Sequence, residues 1–394
     1  MSENERTTVA TNGWLWLGAA IAITEIMTGT YFAPLGWGKG LAAIVLGHLI
    51  GCAMLFLAGR IGAQTSKNAM NTLKIAFGEK GGLFFSVLNV LQLVGWTAVM
   101  IATGASAMNV LMGNDQGSTV LGAFIIAALI LIWMLFGPKT FGRVNNLVVI
   151  ALAVLCLFLT VKVFTGASAT DGTFEPISFG AALELAVAMP LSWLPVISDY
   201  TSRAQRPVLA NTVSNAAYIL GSCWMFIIGL GCALLTGYAD ISLLMRAMGM
   251  GAVGLVIIIF STITSSFLDA RSAAISYTTL SKTPSERTVA IIVCIIGFAI
   301  AIYDPTSSYQ DFLYLIGSFF TPMVGVLFTE YYILGHKDVR HSVSVLNFIV
   351  YAIGFVLYRM MLSIDIPTGT TLPVVLIVGV LTYAAHKLTD GRTH

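Results

Sequence analysis

Two carboxylates stand in stretches that are otherwise apolar or hydroxylic. Glu25 lies in Ile23-Thr24-Glu25-Ile26-Met27-Thr28-Gly29-Thr30, and Asp269 follows the run Ser261-Thr262-Ile263-Thr264-Ser265-Ser266. A carboxylate at membrane depth marks a pathway or a buried pairing; it accepts hydrogen bonds and, when protonated, also donates. The hydroxyl run suits a cation. Ser261, Thr264 and Ser265 stand at i, i+3 and i+4, so one backbone carbonyl and two hydroxyls can converge on one face. A hard ion such as sodium takes several such oxygens in place of water. The plainer reading is that these hydroxyls bond carbonyls one turn back or join helices. A third set is aromatic. Asn89, Gln92 and Trp96 stand at i, i+3 and i+7, and Ser192 and Trp193 lie in Met189-Pro190-Leu191-Ser192-Trp193-Leu194-Pro195. Rings for stacking and amides for edge contacts are what a flat heterocycle needs. Trp14, Trp16 and Trp37 lie near the ends of apolar runs and read as interfacial anchors. His48 stands alone and reads as a satisfied packing residue.

Other chemistries leave no trace. There is no Walker motif, no HExxH and no GxGxxG opening a strand–helix unit. The five cysteines, Cys52, Cys156, Cys223, Cys232 and Cys294, sit in apolar runs with no CxxC, so they read as small core residues. No nucleophile–base set points to an enzyme. A cofactor is not expected, and sodium is the candidate ion.

The elements that must position these residues follow from composition. The chain has 394 residues, 57% of them hydrophobic and 10% charged, with a mean hydropathy of +0.88. A water-soluble domain carries about 25% charged residues, so the outer face of this chain must meet lipid. That excludes a secreted disulfide scaffold, a nucleic-acid binder and an ordinary cytosolic enzyme. Runs of roughly 20 apolar residues cross a bilayer as helices. Twelve are present, at about Trp14–Leu35, Leu41–Gly59, Leu83–Leu111, Val120–Phe136, Val144–Phe164, Gly180–Ile197, Thr212–Leu235, Ala252–Tyr277, Val289–Ile302, Phe312–Ile333, Val345–Leu362 and Leu372–Ala385. The polar start lacks the features of a cleaved signal, so the first run is expected to be retained. With the N-terminus inside, fifteen of the 20 Lys and Arg residues lie inside, four outside, and Arg271 within a span. This asymmetry places both termini in the cytoplasm.

Spans one and six are the irregular ones. The first carries Glu25 beside Thr and Gly, with Pro34 following. The sixth has Pro190 and Pro195, which remove helical hydrogen bonds. Such backbone survives at membrane depth only inside protein or along a cavity. Breaks five spans apart predict an all-α polytopic membrane protein of twelve helices. Its core is a five-plus-five inverted repeat with discontinuous helices one and six, followed by two further helices. The expected units are 1–13 (cytoplasmic tail), 14–164 and 165–334 (the two repeats) and 335–394 (the last helices and tail). Asp269 and Arg271, two apart, point to different sides and are not partners. Asp199, Asp311 and Glu330 lie near span ends and read as solvated or loop-capping, and Glu184 reads as lying near an outer end.

Short stretches in order carry a resemblance. They are Gly59-Arg60-Ile61-Gly62-Ala63-Gln64-Thr65, Phe77-Gly78-Glu79-Lys80-Gly81, Val94-Gly95-Trp96, Ser198-Asp199-Tyr200-Thr201-Ser202-Arg203, Tyr238-Ala239-Asp240-Ile241 and Thr329-Glu330-Tyr331. Together, from about Trp14 to Ile333, they resemble the nucleobase:cation symporter-1 family, nearest its cytosine-permease and CytX-type hydroxymethylpyrimidine carriers. The first and fifth stretches match loops of that family. The resemblance implies alternating access driven by sodium or protons. It implies a cation between spans one and eight, held by the carbonyls of Gly18 and Ile21 and by Ser261, Thr264 and Ser265. Trp193 matches the place where the family stacks its ring. The family's span-three glutamine stands one place from Gln92, its span-eight asparagine is absent with Asp269 near, and it has no carboxylate at Glu25. The expected function is import of a pyrimidine-like heterocycle, hydroxymethylpyrimidine first, with sodium. A cytosine or purine permease, or proton coupling through Glu25 or Asp269, is the alternative. A channel or membrane enzyme is the reading from another class. The expected setting is a monomer in the inner membrane of a prokaryote, its partners a small heterocycle and the lipid bilayer.

Overall fold

The computed structural model describes residues 6–113, 119–134, 138–166, 174–281, 283–303 and 305–390. Among them every extended element is helical. The first span is two helices, α1 (Val9–Ala20) and α2 (Ile23–Thr30), with Ile21 and Ala22 outside both. The break therefore falls ahead of the polar stretch around Glu25 that marks it in the sequence, and that stretch is itself helical. Glu25 lies in the first turn of α2. The sixth span is α8 (Phe179–Ser192) and α9 (Leu194–Thr201), hinged at Trp193. Pro190 is accommodated inside α8, and Pro195 sits in the first turn of α9, where its missing N–H costs nothing.

Among the described residues, eight helical segments are long and apolar enough to cross a membrane, and Thr119–Trp133 and Val345–Met361 are shorter apolar helices. With the broken first span and Glu286–Ala301, these account for the twelve regions read from the sequence. The others are α3 (Gly36–Thr65), α5 (Gly81–Leu111), α6 (Thr119–Trp133), α7 (Pro138–Thr165), α10 (Pro207–Thr236), α12 (Gly251–Tyr277), α13 (Glu286–Ala301), α14 (Tyr309–Phe328), α15 (Val345–Met361) and α16 (Thr371–Asp390).

Two short helices complete the order, α4 (Ala69–Phe77) and α11 (Ile241–Ala247). They fall at equivalent places, after spans two and seven. Each is capped by a side chain, Asn68 for α4 and Asp240 for α11. Asp240 thus explains the Tyr238–Ile241 stretch. The Gly59–Thr65 stretch, expected as a loop, is instead the last two turns of α3. Its glycines admit close neighbours. A Cβ on Gly59 would lie 2.1 Å from Asn211 Oδ1, and one on Gly62 2.4 Å from the Ser198 Cβ.

Packing divides the helices into two groups. The broken helices α1/α2 and α8/α9 pack with α3 and α10, whereas α5, α6, α12 and α13 pack with one another. Within the first group α10 crosses α1 and α2 as α3 crosses α8 and α9, which is the pairing a two-fold repeat requires. The crossings are glycine contacts in both halves. A Cβ on Gly229 would meet the Ile26 carbonyl oxygen at 2.0 Å, and one on Gly47 the Ala186 Cβ at 2.5 Å.

The polar residues near span ends sort differently from the sequence reading. Asp199 does cap, accepting from the Ala69 N–H at 2.8 Å. Glu330 is not solvated but buried. It is held by Asn347 Nδ2 at 2.5 Å, His386 Nε2 at 2.7 Å, the more distant Arg340 and His336 Nδ1. Glu184, also buried, accepts from the Thr370 and Thr371 amides at 2.6 and 2.8 Å and from Tyr358 Oη at 2.5 Å. It fastens α15 and α16 to α8. Of the basic residues assigned to the inner side, Lys282 and Arg392 lie outside the described residues, as do the side chains of Lys139 and Arg143. The ends of the expected tails, at 1–5 and 391–394, lie outside them too.

Candidate functional site

A cavity of about 580 Å³ lies where the two helix groups face each other. Breaking span one leaves the last carbonyls of α1 and the first amides of α2 outside any helical ladder, and Gly18, Ile21, Ala22, Thr24 and Glu25 line the cavity there. The hinge of span six adds Met189, Ser192 and Trp193 from the same helix group. From the facing group α5 brings Leu93, Trp96 and Met100, and α12 brings Ser261, Thr264, Ser265, Leu268 and Asp269. Ten of the eleven residues expected to bind substrate or cation therefore line one cavity.

Gln92 is the exception. It is buried behind that wall, where Nε2 donates to Asn89 Oδ1 at 2.8 Å and to the Ser192 carbonyl at 2.9 Å. Asn89 in turn donates to Ser276 at 2.7 Å. The polar stripe on α5 thus ties the hinge of span six to α12 and does not face the cavity. A free carbonyl at a helix break needs such a donor.

The two carboxylates differ. Asp269 is buried on the cavity wall and has no hydrogen-bond partner among the described residues. Glu25 is buried too, but both of its oxygens are engaged by α10. Tyr218 Oη donates to Oε1 at 3.0 Å, and Ser222 Oγ lies 2.7 Å from Oε2. On α12, Thr264 Oγ1 donates back to the carbonyls of Phe260 and Ser261 at 3.1 and 3.0 Å. The plainer reading of that hydroxyl holds, yet it orients the lone pairs away from the helix, which is what a cation ligand requires. Gly18 and Ile21 at the break of span one and the hydroxyls of α12 line the same cavity, and carbonyls with hydroxyls are a donor set that fits a sodium ion.

Aromatic rings close the cavity along α2. Trp96 meets Tyr309 edge-on at 6.0 Å and Phe312 at 5.3 Å, and Tyr31 stacks on Tyr309 at 5.9 Å. The Tyr309 hydroxyl bonds Thr28 Oγ1 at 2.7 Å. Past this plug a second cavity of about 230 Å³ is lined by Met27, Tyr31, Thr103, Ser106 and Asp240. In the other direction the central cavity runs along α1 to Leu15, Trp14 and Thr11, beside Val148–Leu152 of α7.

The sequence reading missed several of these residues. Trp16 is no interfacial anchor: it is 1% exposed and packs edge-on against Trp193, Tyr200 and Tyr218. Trp14, by contrast, is 70% exposed, at the mouth of the cavity. Tyr218, Ser222 and Tyr309 carried no local signal, because each partner lies on another helix. His48 packs but also bonds Ser222. All five cysteines are free thiols.

A family model described as permease for cytosine/purines, uracil, thiamine and allantoin matches residues 1–365. The cytosine permease of Escherichia coli K12 is 26% identical over 328 residues, which cover 79% of this chain and 77% of that protein. Among solved structures, the inward-facing conformation of Mhp1 superposes with a TM-score of 0.80 at 16% identity, covering 99% of this chain and 92% of that one. A closed form of the same nucleobase-cation-symport-1 transporter with bromovinylhydantoin bound gives 0.77 at 16% identity, over 99% and 94%. A Na+-coupled sialic acid symporter gives 0.67 at 13% identity, over 97% and 90%.

Proposed function

Because this chain belongs to the permease family for cytosine/purines, uracil, thiamine and allantoin, the nucleobase:cation symporter-1 family its motifs resemble, we propose that its central cavity carries a pyrimidine-like heterocycle across the membrane together with sodium. It is a transporter, not an enzyme. The observation that carries the substrate class is the juxtaposition of a buried carboxylate, Asp269, unpartnered among the described residues, with the hinge indole of Trp193 in one cavity. The carboxylate accepts from an exocyclic amine, and the indole stacks on the ring. Hydroxymethylpyrimidine presents both features and is the favoured substrate. Cytosine, named for the bacterial relative, is the second.

Sodium is supported by the α1 and α12 oxygen set and by the coupling of the sialic acid symporter. Gly18, Ile21, Ser261, Thr264 and Ser265 are its ligands, and Trp96 and Ser192 complete the substrate wall. Gln92 holds the hinge and does not touch the ligand. With both termini in the cytoplasm, the cavity opens inward along α1 and is shut outward by the Tyr31–Tyr309 plug, so the chain is inward-facing. The halves 14–164 and 165–334 are the repeats that alternate, and the monomer in a prokaryotic inner membrane is the working unit.

Thermal-shift screening of the purified protein tests this reading, since a ligand that binds the folded state raises apparent stability by mass action. Hydroxymethylpyrimidine should stabilise more than cytosine, purines or hydantoins, and more in sodium than in choline. Stabilisation by purines or hydantoins alone discards the pyrimidine assignment. A pyrimidine shift indifferent to sodium discards the ion.

A further inference from the structure

Glu25 faces the cavity on one side and a buried polar chain on the other. Its Oε2 lies 2.7 Å from Ser222 Oγ, and Ser222 Oγ lies 2.6 Å from His48 Nε2. His48 Nδ1 lies 2.8 Å from the Ile44 carbonyl oxygen. Glu25, Ser222 and His48 are all buried. The ends of this chain fix its hydrogens. The Ile44 carbonyl only accepts, so Nδ1 carries hydrogen. A neutral imidazole then accepts at Nε2, and the one hydroxyl hydrogen of Ser222 goes there. The remaining contact, Ser222 to Glu25, needs a hydrogen on the acid. An imidazolium with a carboxylate has the same number of hydrogens, but it buries two charges where the protonated acid and neutral ring bury none.

We propose that Glu25, Ser222 and His48 form a site for one exchangeable proton, loaded and unloaded through the central cavity at Glu25, with the acid neutral when the site is full. On release, the Oε2 proton passes to water in the cavity. The Ser222 hydroxyl hydrogen turns to the carboxylate, and Nε2 of His48 is left facing an oxygen lone pair. Only O–H bonds form and break. The empty site thus sets two lone pairs against each other, Nε2 of His48 on α3 and the Ser222 oxygen on α10. Its link to transport rests on the permease reading, but the site itself does not. The other titratable groups around Glu25 are Tyr218 and Cys223 on α10, Cys52 on α3, Tyr309 on α14 and, on the cavity wall, Asp269 on α12. None is basic. His48 is otherwise walled by the Phe226 ring at 4.7 Å. The site lies on the α10 side of the broken helix and the oxygens that suit sodium on the α12 side, so the two ions do not compete for ligands.

Infrared difference spectroscopy of the substrate-free protein through a pH titration tests the site directly. A protonated-carboxyl band at neutral pH should vanish in Glu25→Gln, persist in Asp269→Asn, and shift in His48→Gln and Ser222→Ala. Absence of any band sensitive to Glu25→Gln, or a band that ignores both His48→Gln and Ser222→Ala, overturns the proposal. In liposomes loaded with a pH dye, with cytosine and hydroxymethylpyrimidine as probes, uptake should acidify the lumen in the wild type. Glu25→Gln and His48→Gln should lose at least tenfold of that acidification relative to pyrimidine moved. Equal acidification in the variants sinks the coupling role. If the infrared band behaves as stated and neither pyrimidine moves, the substrate reading fails and the proton site stands.

Discussion

At the scale of single residues the cavity separates two carboxylates that look alike in the sequence. Glu25 spends its oxygens on Tyr218 and Ser222, whereas Asp269 keeps its oxygens for the cavity. A hydrogen bond to a charged partner is worth about 1.5–3 kcal/mol. Asp269→Asn should therefore weaken binding of an aminopyrimidine roughly 10- to 150-fold, read by calorimetry, while a ring without the amine loses little. Equal losses for both ligands make Asp269 a structural group. The α12 hydroxyls are tested separately. Thr264→Ala and Ser265→Ala should each raise the sodium concentration for half-maximal uptake, leaving affinity at saturating sodium near wild type. The residue types on this wall were readable because a carboxylate or a hydroxyl run inside an apolar stretch needs a reason. Their partners were not. Ser222 stands 174 residues from His48, and no periodicity links them.

Elements show where local signals sufficed and where they failed. The hinge of span six was announced by Pro190 and Pro195, because proline removes donors wherever it sits. The hinge of span one falls at Ile21–Ala22, two residues with no breaker chemistry, in a span that packs against α10 on both sides of the break. The short helices α4 and α11 were missed although Asn68 and Asp240 stood as N-caps before apolar residues. Their brevity hid them. Glu184 could not be assigned from sequence because its donors come from the start of α16 and from α15. Glu184→Ala takes the acceptor from two buried amides and from the Tyr358 hydroxyl, while Thr371 Oγ1 keeps Thr321; each stranded donor costs about 1–3 kcal/mol. It should lower the melting temperature by several degrees and loosen α15–α16, seen as faster hydrogen exchange there. The helix crossings make a paired prediction. Gly229→Ala drives a methyl into the Ile26 carbonyl and Gly47→Ala drives one into Ala186, so both should destabilise. Gly38→Ala in α3 meets nothing within 4 Å and should be neutral or stabilising by up to about 1 kcal/mol.

Over the whole molecule, two helix groups packed within themselves meet mainly across a cavity, and that is the arrangement in which one group can rock against the other. Access to the site is then set by few contacts. On the α2 side those are the Thr28–Tyr309 hydrogen bond and the rings of Tyr31 and Trp96. Met100 lines the cavity beneath them. In a variant with the five native cysteines replaced by alanine or serine, Met100→Cys should react with a membrane-impermeant maleimide from the side of the N-terminus and not from the opposite side. Tyr309→Phe removes the hydroxyl that holds Thr28 but keeps the ring. One hydrogen bond contributes about 0.5–1.5 kcal/mol, so the balance between the two openings should move roughly 2- to 12-fold, since 1.4 kcal/mol is tenfold. Labelling of Met100→Cys from the opposite side should rise by that factor, and pyrimidine should reverse it if it favours the shut plug. Labelling unchanged by Tyr309→Phe would mean that the rings alone hold the gate. Tyr309→Ala separates that case, because it removes the stacking with Tyr31 and the edge contact with Trp96 together.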